Sequence, residues 1–320
     1  MRAGEETAEK TRFGRAPKQT LFVLSKEHLP LAAAEVEALT RQRGQLVENL
    51  LIIATKPPAG LALTRSAHEL LFTTTRDGLL SMMTRFSWPQ GSFAVREHGL
   101  DLSARSLAAP IWRSLARLGT PRVDLEQPDN EFVFFQEGNE VFVTRTYWRN
   151  EERFSERRAH LRPRNHPTSL NPKLARAMIN LAGPVRTIID PFCGSGGILI
   201  EGALIGRHMT GNDIDPQQQA RAEENLAYYG CTARVMTGDA TTLTGSYDAI
   251  VTDLPIGRNA KLTAKAATFS AFFKQARRLA RRAVVASDEP LERFCAPWRV
   301  EQSFMWYIQR NYTKHISVLR

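Results

Sequence analysis

Cysteine is scarce in this chain. Cys193, Cys231 and Cys295 are the only three among 320 residues, and no two form a CxxC pair. That spacing argues against a zinc site or a disulfide framework and fits a reducing compartment, so a cytoplasmic location and no metal are expected. Long apolar runs are missing as well. None reaches the length of a membrane span, and Arg2, Lys10, Arg12 and Arg15 lead into no apolar signal core. Negative charge is the third shortage: 33 Asp and Glu against 43 Lys and Arg leave a formal charge of +10 at pH 7. Such an excess suits a polyanionic partner, and is equally found on basic proteins with no such partner. What the chain does have is 42% hydrophobic residues and enough length for two or three domains.

Residues 1–18 are polar and charged and read as a disordered tail. Residues 19–88 alternate short apolar runs with a helical stretch. Leu21 to Leu24 and Leu50 to Ile53 read as strands, Pro30 opens a helix running to Arg43 before Gly44, and a further strand and helix follow. This mixture suggests a small α+β sandwich of ferredoxin-like type, closed at Trp88-Pro89. His68 reads as structural, because no acidic or metal-ligand partner accompanies it. Residues 89–148 repeat the theme: a strand at 92–96 with Arg96 at its end, a helix at 104–118 with Leu107, Ile111, Leu115 and Leu118 on one stripe, and a hairpin around Gly138. Residues 149–168 form an Arg-rich link carrying Arg149, Arg153, Arg157, Arg158, Arg162 and Arg164. Guanidinium groups suit bidentate phosphate contact, so these six and Arg96 are candidate contacts to a nucleic-acid backbone, a solvated linker being the alternative for the link. A second basic cluster, Lys274, Arg277, Arg278, Arg281 and Arg282, reads equally as an RNA contact or a solvated helix face.

From residue 169 onward the pattern changes to strand, turn, helix. Asn171 caps a helix opened by Pro172. A buried strand at 185–189 then meets Asp190-Pro191-Phe192-Cys193-Gly194-Ser195-Gly196-Gly197 and an apolar helix. This is the opening of a doubly wound α/β domain. A carboxylate at the strand end suits a ligand carrying an ammonium and would repel a phosphate, which favours S-adenosyl-L-methionine over a dinucleotide. Cys193 in this turn reads as a small filler.

Three further strand ends carry Asp213, Asp239 and Asp253. One ligand laid across the ends of an open parallel sheet explains all four acids. Asp190 would face the methionine ammonium, with Pro191, Phe192, Gly194, Ser195 and Gly196 forming the turn around it. Asp213 would accept the ribose hydroxyls beside Ile214. Asp239 would take the adenine amino group, with the Ala240 N–H facing the ring. Asp253 would remain for the substrate, and Asp215 reads as a helix cap only. The last two strands lie too close together for a helical crossover, so they should be antiparallel.

Two sets of motifs carry a resemblance. Residues 93–96, the following helix, Val123-Asp124-Leu125, Pro128-Asp129 and the hairpin resemble the THUMP domain, an RNA-binding module. Asp190 to Gly197, Gly211-Asn212-Asp213-Ile214-Asp215, Gly238-Asp239-Ala240 and Thr252-Asp253-Leu254-Pro255-Ile256-Gly257 resemble the motifs of THUMP-fused class I methyltransferases, as does the helix Ser169 to Met178. The similarity is to the archaeal Trm11-like tRNA guanosine-N2 methyltransferase family, which modifies guanosine 10. It implies a Rossmann-like, seven-stranded domain at 169–320 behind the ferredoxin-like and THUMP modules, S-adenosyl-L-methionine as cofactor and tRNA as partner. Some members act with a small zinc-binding activator, Trm112, so a Trm112-like protein joins the partners the resemblance brings.

The resemblance places the chemistry on Asp253, Leu254, Pro255 and Ile256. The family's final motif is Asp-Pro-Pro-Tyr-Gly, whereas Leu254 stands here at the first Pro and Ile256 at the Tyr. Asp253 and the Leu254 carbonyl would accept hydrogen bonds from an exocyclic amine. Stacking of the Tyr on the base is worth about 1–3 kcal/mol in comparable settings. Phe192, Phe269 and Trp306 are the candidate substitutes for that aromatic. Other readings stay open: an amino-methyltransferase acting on adenine N6 or on guanosine at another RNA position, or an RNA-binding protein with a degenerate catalytic domain.

Overall fold

The structure, a computed structural model, describes residues 19–164, 169–255, 262–309 and 312–320. In chain order the elements are β1 (Thr20–Leu24), α1 (Leu29–Thr40), β2 (Gln45–Val47), β3 (Leu50–Ile53), β4 (Thr64–Thr75), α2 (Leu79–Arg85), β5 (Phe93–His98), α3 (Ala104–Ala116), β6 (Asn130–Glu137) and β7 (Glu140–Arg149). They continue as α4 (Pro172–Leu181), β8 (Thr187–Asp190), α5 (Gly197–Leu204), β9 (His208–Asp213), α6 (Pro216–Tyr228), β10 (Arg234–Thr237), β11 (Ala249–Asp253), α7 (Leu262–Leu279), β12 (Ala283–Ser287), β13 (Val300–Gln309) and β14 (Tyr312–Leu319). The chain divides into two compact units. The first takes the chain up to Phe22, Leu50–Pro57 and Ser66–Arg149; the second takes Val23–Asn49, Pro58–Arg65 and Asn150–Arg320.

In the first unit β4, β7, β6 and β5 lie side by side, with β5 and β6 parallel and the other two pairings antiparallel. Phe93, Val95, Phe132, Phe134, Val141 and Val143 alternate toward one face and pack with Leu107, Ile111 and Leu115 of α3. The boundary expected at 88/89 falls inside this unit. Trp88 is buried, its ring stands edge-on to Phe132 at 4.8 Å, and its indole N–H donates to the Met83 carbonyl. Leu118 does not belong to the buried stripe. α3 ends at Ala116, two residues short of the expectation, and Leu118 is 65% exposed. His68 is buried, and burial pushes its imidazole down to about 3, so it stays neutral at physiological pH.

The second unit draws part of its packing from the segment expected to form a separate N-terminal module. α1 ends at Thr40 rather than Arg43, because Arg41 turns into the left-handed region at φ 56°. Glu35 on α1 is fully buried. It accepts hydrogen bonds from the Ala62 and Leu63 N–H groups and from the Asn180 side chain of α4. A buried carboxyl needs such partners, and the Asn180 donor ties α1 to α4 within the second unit.

The second unit's sheet has the strand order β10-β9-β8-β11-β12-β14-β13. The first five strands are parallel, and β14 is antiparallel to both β12 and β13, as the short connection requires. Ile188, Ile189, Ile250, Val251, Val284 and Val285 are all fully buried, as strands covered on both faces must be. From β8 the chain winds outward through β9 and β10, then returns to the other side of β8 at β11. The crevice therefore opens at the carboxyl ends of β8 and β11. α7 runs from Leu262 to Leu279.

One glycine at the crevice is sterically required. A Cβ on Gly211 of β9 would lie 2.5 Å from Leu199 Cδ1 and 3.0 Å from Cys193 Sγ. Gly211→Ala is expected to cost about 1–3 kcal/mol by overpacking, read as a lower urea midpoint.

Candidate active site

The turn between β8 and α5 is shaped by two glycines in the left-handed region, Gly194 at φ 50° and Gly196 at φ 85°. At Gly196 a Cβ would also lie 3.1 Å from the Ala222 Cβ of α6, so the turn packs directly on that helix. Asp213 at the end of β9 fastens the turn: its Oδ2 accepts from the Gly194 N–H at 2.9 Å and its Oδ1 from the Asp215 N–H at 3.0 Å. Asp215 itself caps α6 by accepting from the Gln217 N–H.

Around this turn lies a cavity of about 430 Å³. Asp190, Phe192, Asp213, Asp239 and Asp253 all line it, so the four strand-end acids meet at one site. Pro191, Gly194, Ser195, Ile214, Ala240, Leu254 and Pro255 also line it, whereas Gly196 contributes only to the turn. Ile256 lies outside the described residues. Asn212, quoted within a motif but assigned no role from sequence, ties the strand ends together. Its amide donates to the Pro191 carbonyl at 3.2 Å and the Gly238 carbonyl at 2.9 Å.

The acids differ in environment. Asp190 is 1% exposed and accepts from the Thr252 hydroxyl at 2.6 Å and the Phe192 N–H at 3.2 Å. Burial nevertheless pushes its carboxyl up to about 7 against those two bonds, and the charges of Asp253 and Asp213 push the same way. Asp239 accepts from the Thr241 N–H and hydroxyl, which hold its carboxyl below the usual range. Asp253 is pushed up to about 6, first by burial, with Lys314 opposing and Asp288 adding to the rise. Burial also pushes the Cys193 thiol up, which keeps it protonated and suits a filler.

Lys314 was missed by sequence reasoning. Its ammonium lies 2.6 Å from Asp253 Oδ1 and 3.2 Å from Asp288 Oδ1, with its side chain 4% exposed. A signal was present: Lys314 is in phase with Ile316 and Val318, the buried face of a strand, where an unpaired cation is costly.

Two of the seven candidate RNA-binding arginines turn inward: the Arg157 side chain is largely covered and Arg162 is buried. Arg157 forks onto the fully buried Glu201 of α5, with Nε to Oε1 at 2.7 Å, and also meets Glu152. Arg176 reaches the same Glu201 at 2.9 Å. Arg162 is 4% exposed and donates through Nε to the Arg157 carbonyl. A buried carboxylate between two guanidinium groups explains why part of the arginine run turned inward. Arg96, Arg149, Arg153, Arg158 and Arg164 are exposed; Arg96 and Arg149 pair with Glu131, Arg153 with Glu156 and Arg164 with Glu224. In the second basic cluster, Arg277 lies over the Trp298 ring and Arg282 donates to the Leu181 carbonyl.

Of the three aromatic candidates, only Phe192 lines the cavity. Phe269 is buried in the core under α7, and Trp306 is stacked on His28 at 3.8 Å. Among the described residues, no helix is long and apolar enough to cross a membrane, and no cluster of His, Cys, Asp or Glu could hold a metal ion.

An open sheet in this strand order, with acids at the ends of its first four strands and a Gly-rich turn after the first, defines a class I S-adenosyl-L-methionine-dependent methyltransferase. Residues 159–304 match the model of the RMKL-like methyltransferase domain. Two relatives are named tRNA (guanine(10)-N2)-dimethyltransferase. That of Methanothermobacter thermautotrophicus is 33% identical over 265 residues, covering 76% of this chain and 79% of its own. That of Pyrococcus abyssi is 32% identical over 260 residues, covering 72% and 76%. A shorter match, 33% over 125 residues, joins 29% of this chain to 32% of the tRNA (guanine(6)-N2)-methyltransferase of Archaeoglobus fulgidus. The chain belongs to this family of tRNA guanine-N2 methyltransferases.

The residues present fit S-adenosyl-L-methionine. A buried carboxyl at the end of β8 suits the ammonium, a carboxylate beside the 73%-exposed Ile214 suits a ribose next to an apolar ring contact, and Asp239-Ala240 follows at the next strand end.

Proposed function

We propose that this chain methylates the exocyclic N2 of a guanosine in tRNA, at position 10. The observation that carries the reading is the Asp253 carboxylate, which enters the cavity at the sheet's switch point, next to the turn that would hold the methyl donor. S-adenosyl-L-methionine supplies an electrophilic methyl group when bound. Asp190 would hold its ammonium, Asp213 its ribose, and Asp239 with the Ala240 N–H its adenine.

The target base leaves its stack to enter the pocket. Its amino lone pair is delocalised into the ring. Asp253 and the Leu254 carbonyl accept its two N–H bonds and turn that lone pair toward the methyl carbon. They also stabilise the positive charge that develops on nitrogen as the new bond forms, and Asp253 takes the proton that leaves. The 89–148 segment acts as a THUMP-like RNA-reading module behind the 19–88 segment. Arg96, Arg149, Arg153, Arg158 and Arg164 are the phosphate contacts. A Trm112-like activator and a cytoplasmic location complete the reading.

The test is methyl transfer from labelled donor to an unmodified tRNA transcript, followed by nucleoside mass spectrometry. N2-methylguanosine or N2,N2-dimethylguanosine mapped to position 10 is expected. The same product at position 6 would keep the chemistry and change the site; N6-methyladenosine would overturn the reading.

The Asp190 environment adds a pH dependence. Only the ionised carboxyl attracts an ammonium, and this group titrates near 7. Donor affinity is therefore expected to fall as pH drops through 7, approaching about tenfold per unit below it. Calorimetry at pH 6 and pH 8 checks this, and Asp190→Asn should flatten the dependence.

A further inference from the structure

We propose that Lys314 is the positioning residue of the reaction: it holds Asp253 Oδ1, keeps that carboxyl ionised, and leaves Oδ2 to meet the amine. The inference rests on the reading of Asp253 as the amine acceptor. Its basis is geometric. Lys314 comes from the antiparallel strand β14, which reaches past the end of β12 and sets its ammonium between two carboxylates. Asp253 stands at the end of β11 and Asp288 just beyond β12. Tyr312, two residues before Lys314 on the same strand, donates its hydroxyl to Asp288 at 3.1 Å. Tyr312 and Lys314 thus both fasten Asp288, and Lys314 reaches from it to Asp253. An ammonium with two carboxylate partners is held in one place, and it fixes the plane of the carboxylate it touches.

The groups around Asp253 act in opposite directions. Burial disfavours its charge, as does Asp288, and Asp253 in turn pushes up the buried carboxyl of Asp190 at the end of β8, as Asp213 does. Lys314 is the cation that opposes burial and Asp288, through its charge and its hydrogen bond to Asp253. Without it, Asp253 would take up a proton at a higher pH, and a protonated carboxyl accepts poorly from an amine. With Asp288 neutralised, Lys314 would act on Asp253 without a competitor, and Asp253 would ionise at a lower pH.

The experiment measures kcat/KM for tRNA against pH at saturating donor, which removes the contribution of Asp190, on the full chain. Wild type is compared with Lys314→Gln, Lys314→Arg and Asp288→Asn, and donor affinity is measured for each. Lys314→Gln should move the acid limb up by about one unit or more, a loss of about tenfold on the wild-type limb that is recovered at high pH. Lys314→Arg should restore the wild-type limb. Asp288→Asn should move the limb the other way.

Opposite shifts from the two substitutions would support the proposal, because a scaffold residue lowers activity evenly across pH. A loss in Lys314→Gln that is uniform in pH would overturn it. If Lys314→Gln binds no donor, Asp288→Asn decides, and an unmoved limb there overturns the proposal. Asp253→Ala run alongside separates the two ideas. If that variant keeps wild-type turnover, the amine-acceptor reading fails. If it is inactive while the limb is unmoved in the other variants, only the role of Lys314 fails.

Discussion

Asp253→Ala should lower kcat by about 10²–10³-fold, the range seen when one group aimed at developing charge is removed. Single-turnover methyl transfer on tRNA reads this directly. The loss should fall on kcat and leave donor affinity near the wild-type value. The reason is the separation of roles proposed above: Asp190, Asp213 and Asp239 would hold the donor, and Asp253, at the end of β11, would meet the substrate. The Leu254 carbonyl would remain, since its residue is held by the Leu254 N–H donating to the Ala286 carbonyl at 2.9 Å. One acceptor in place of two leaves the amine free to rotate, so its lone pair is no longer aimed. Asp253→Asn keeps the shape and an acceptor oxygen but loses the charge, and should fall between wild type and Asp253→Ala. A donor affinity that collapsed together with kcat would place Asp253 in the cofactor site instead.

Glu201→Ala should be the most destabilising single change in the catalytic unit, by about 3–5 kcal/mol. Glu201 is fully buried on α5 and receives Arg157 and Arg176, of which Arg176 is itself fully buried. Removing the carboxylate leaves two guanidinium groups together, one of them with no route to water. Both the midpoint of urea unfolding and donor affinity should drop, because α5 begins at the Gly-rich turn. Glu201→Gln should cost less, since its amide oxygen still accepts from one arginine. A Glu201→Ala variant with an unchanged midpoint would mean that Arg157 and Arg176 find other partners, for which Glu152 is at hand.

Much of the catalytic unit was legible in the sequence because its determinants are local. A run of buried apolar residues followed by an acid marks a strand end, and Asp190, Asp213, Asp239 and Asp253 each stand at or just after one, all lining the same cavity. Helix caps were equally local: Asn171 and Asp215 accept from backbone N–H groups two residues onward, as their spacing from Pro172 and Pro216 predicts. The antiparallel β13–β14 pair followed from the length of the connection.

What sequence spacing could not supply was the choice of partner across long separations. Lys314 and Asp253 are 61 positions apart, and Arg157 and Glu201 are 44 apart. The run from Arg149 to Arg164 looks like one basic surface in sequence, yet burial takes Arg157 and Arg162 inside and leaves the others exposed. α1 likewise joined the catalytic unit because Glu35 needed the donors of Ala62, Leu63 and Asn180. Sequence alone determined the strand ends, the glycine turn and the caps, since each depends on a few neighbouring residues. The tertiary structure alone decided which charges are buried and paired. A charge leaves water only where a distant part of the chain supplies its counter-charge, and only the folded chain brings the two together.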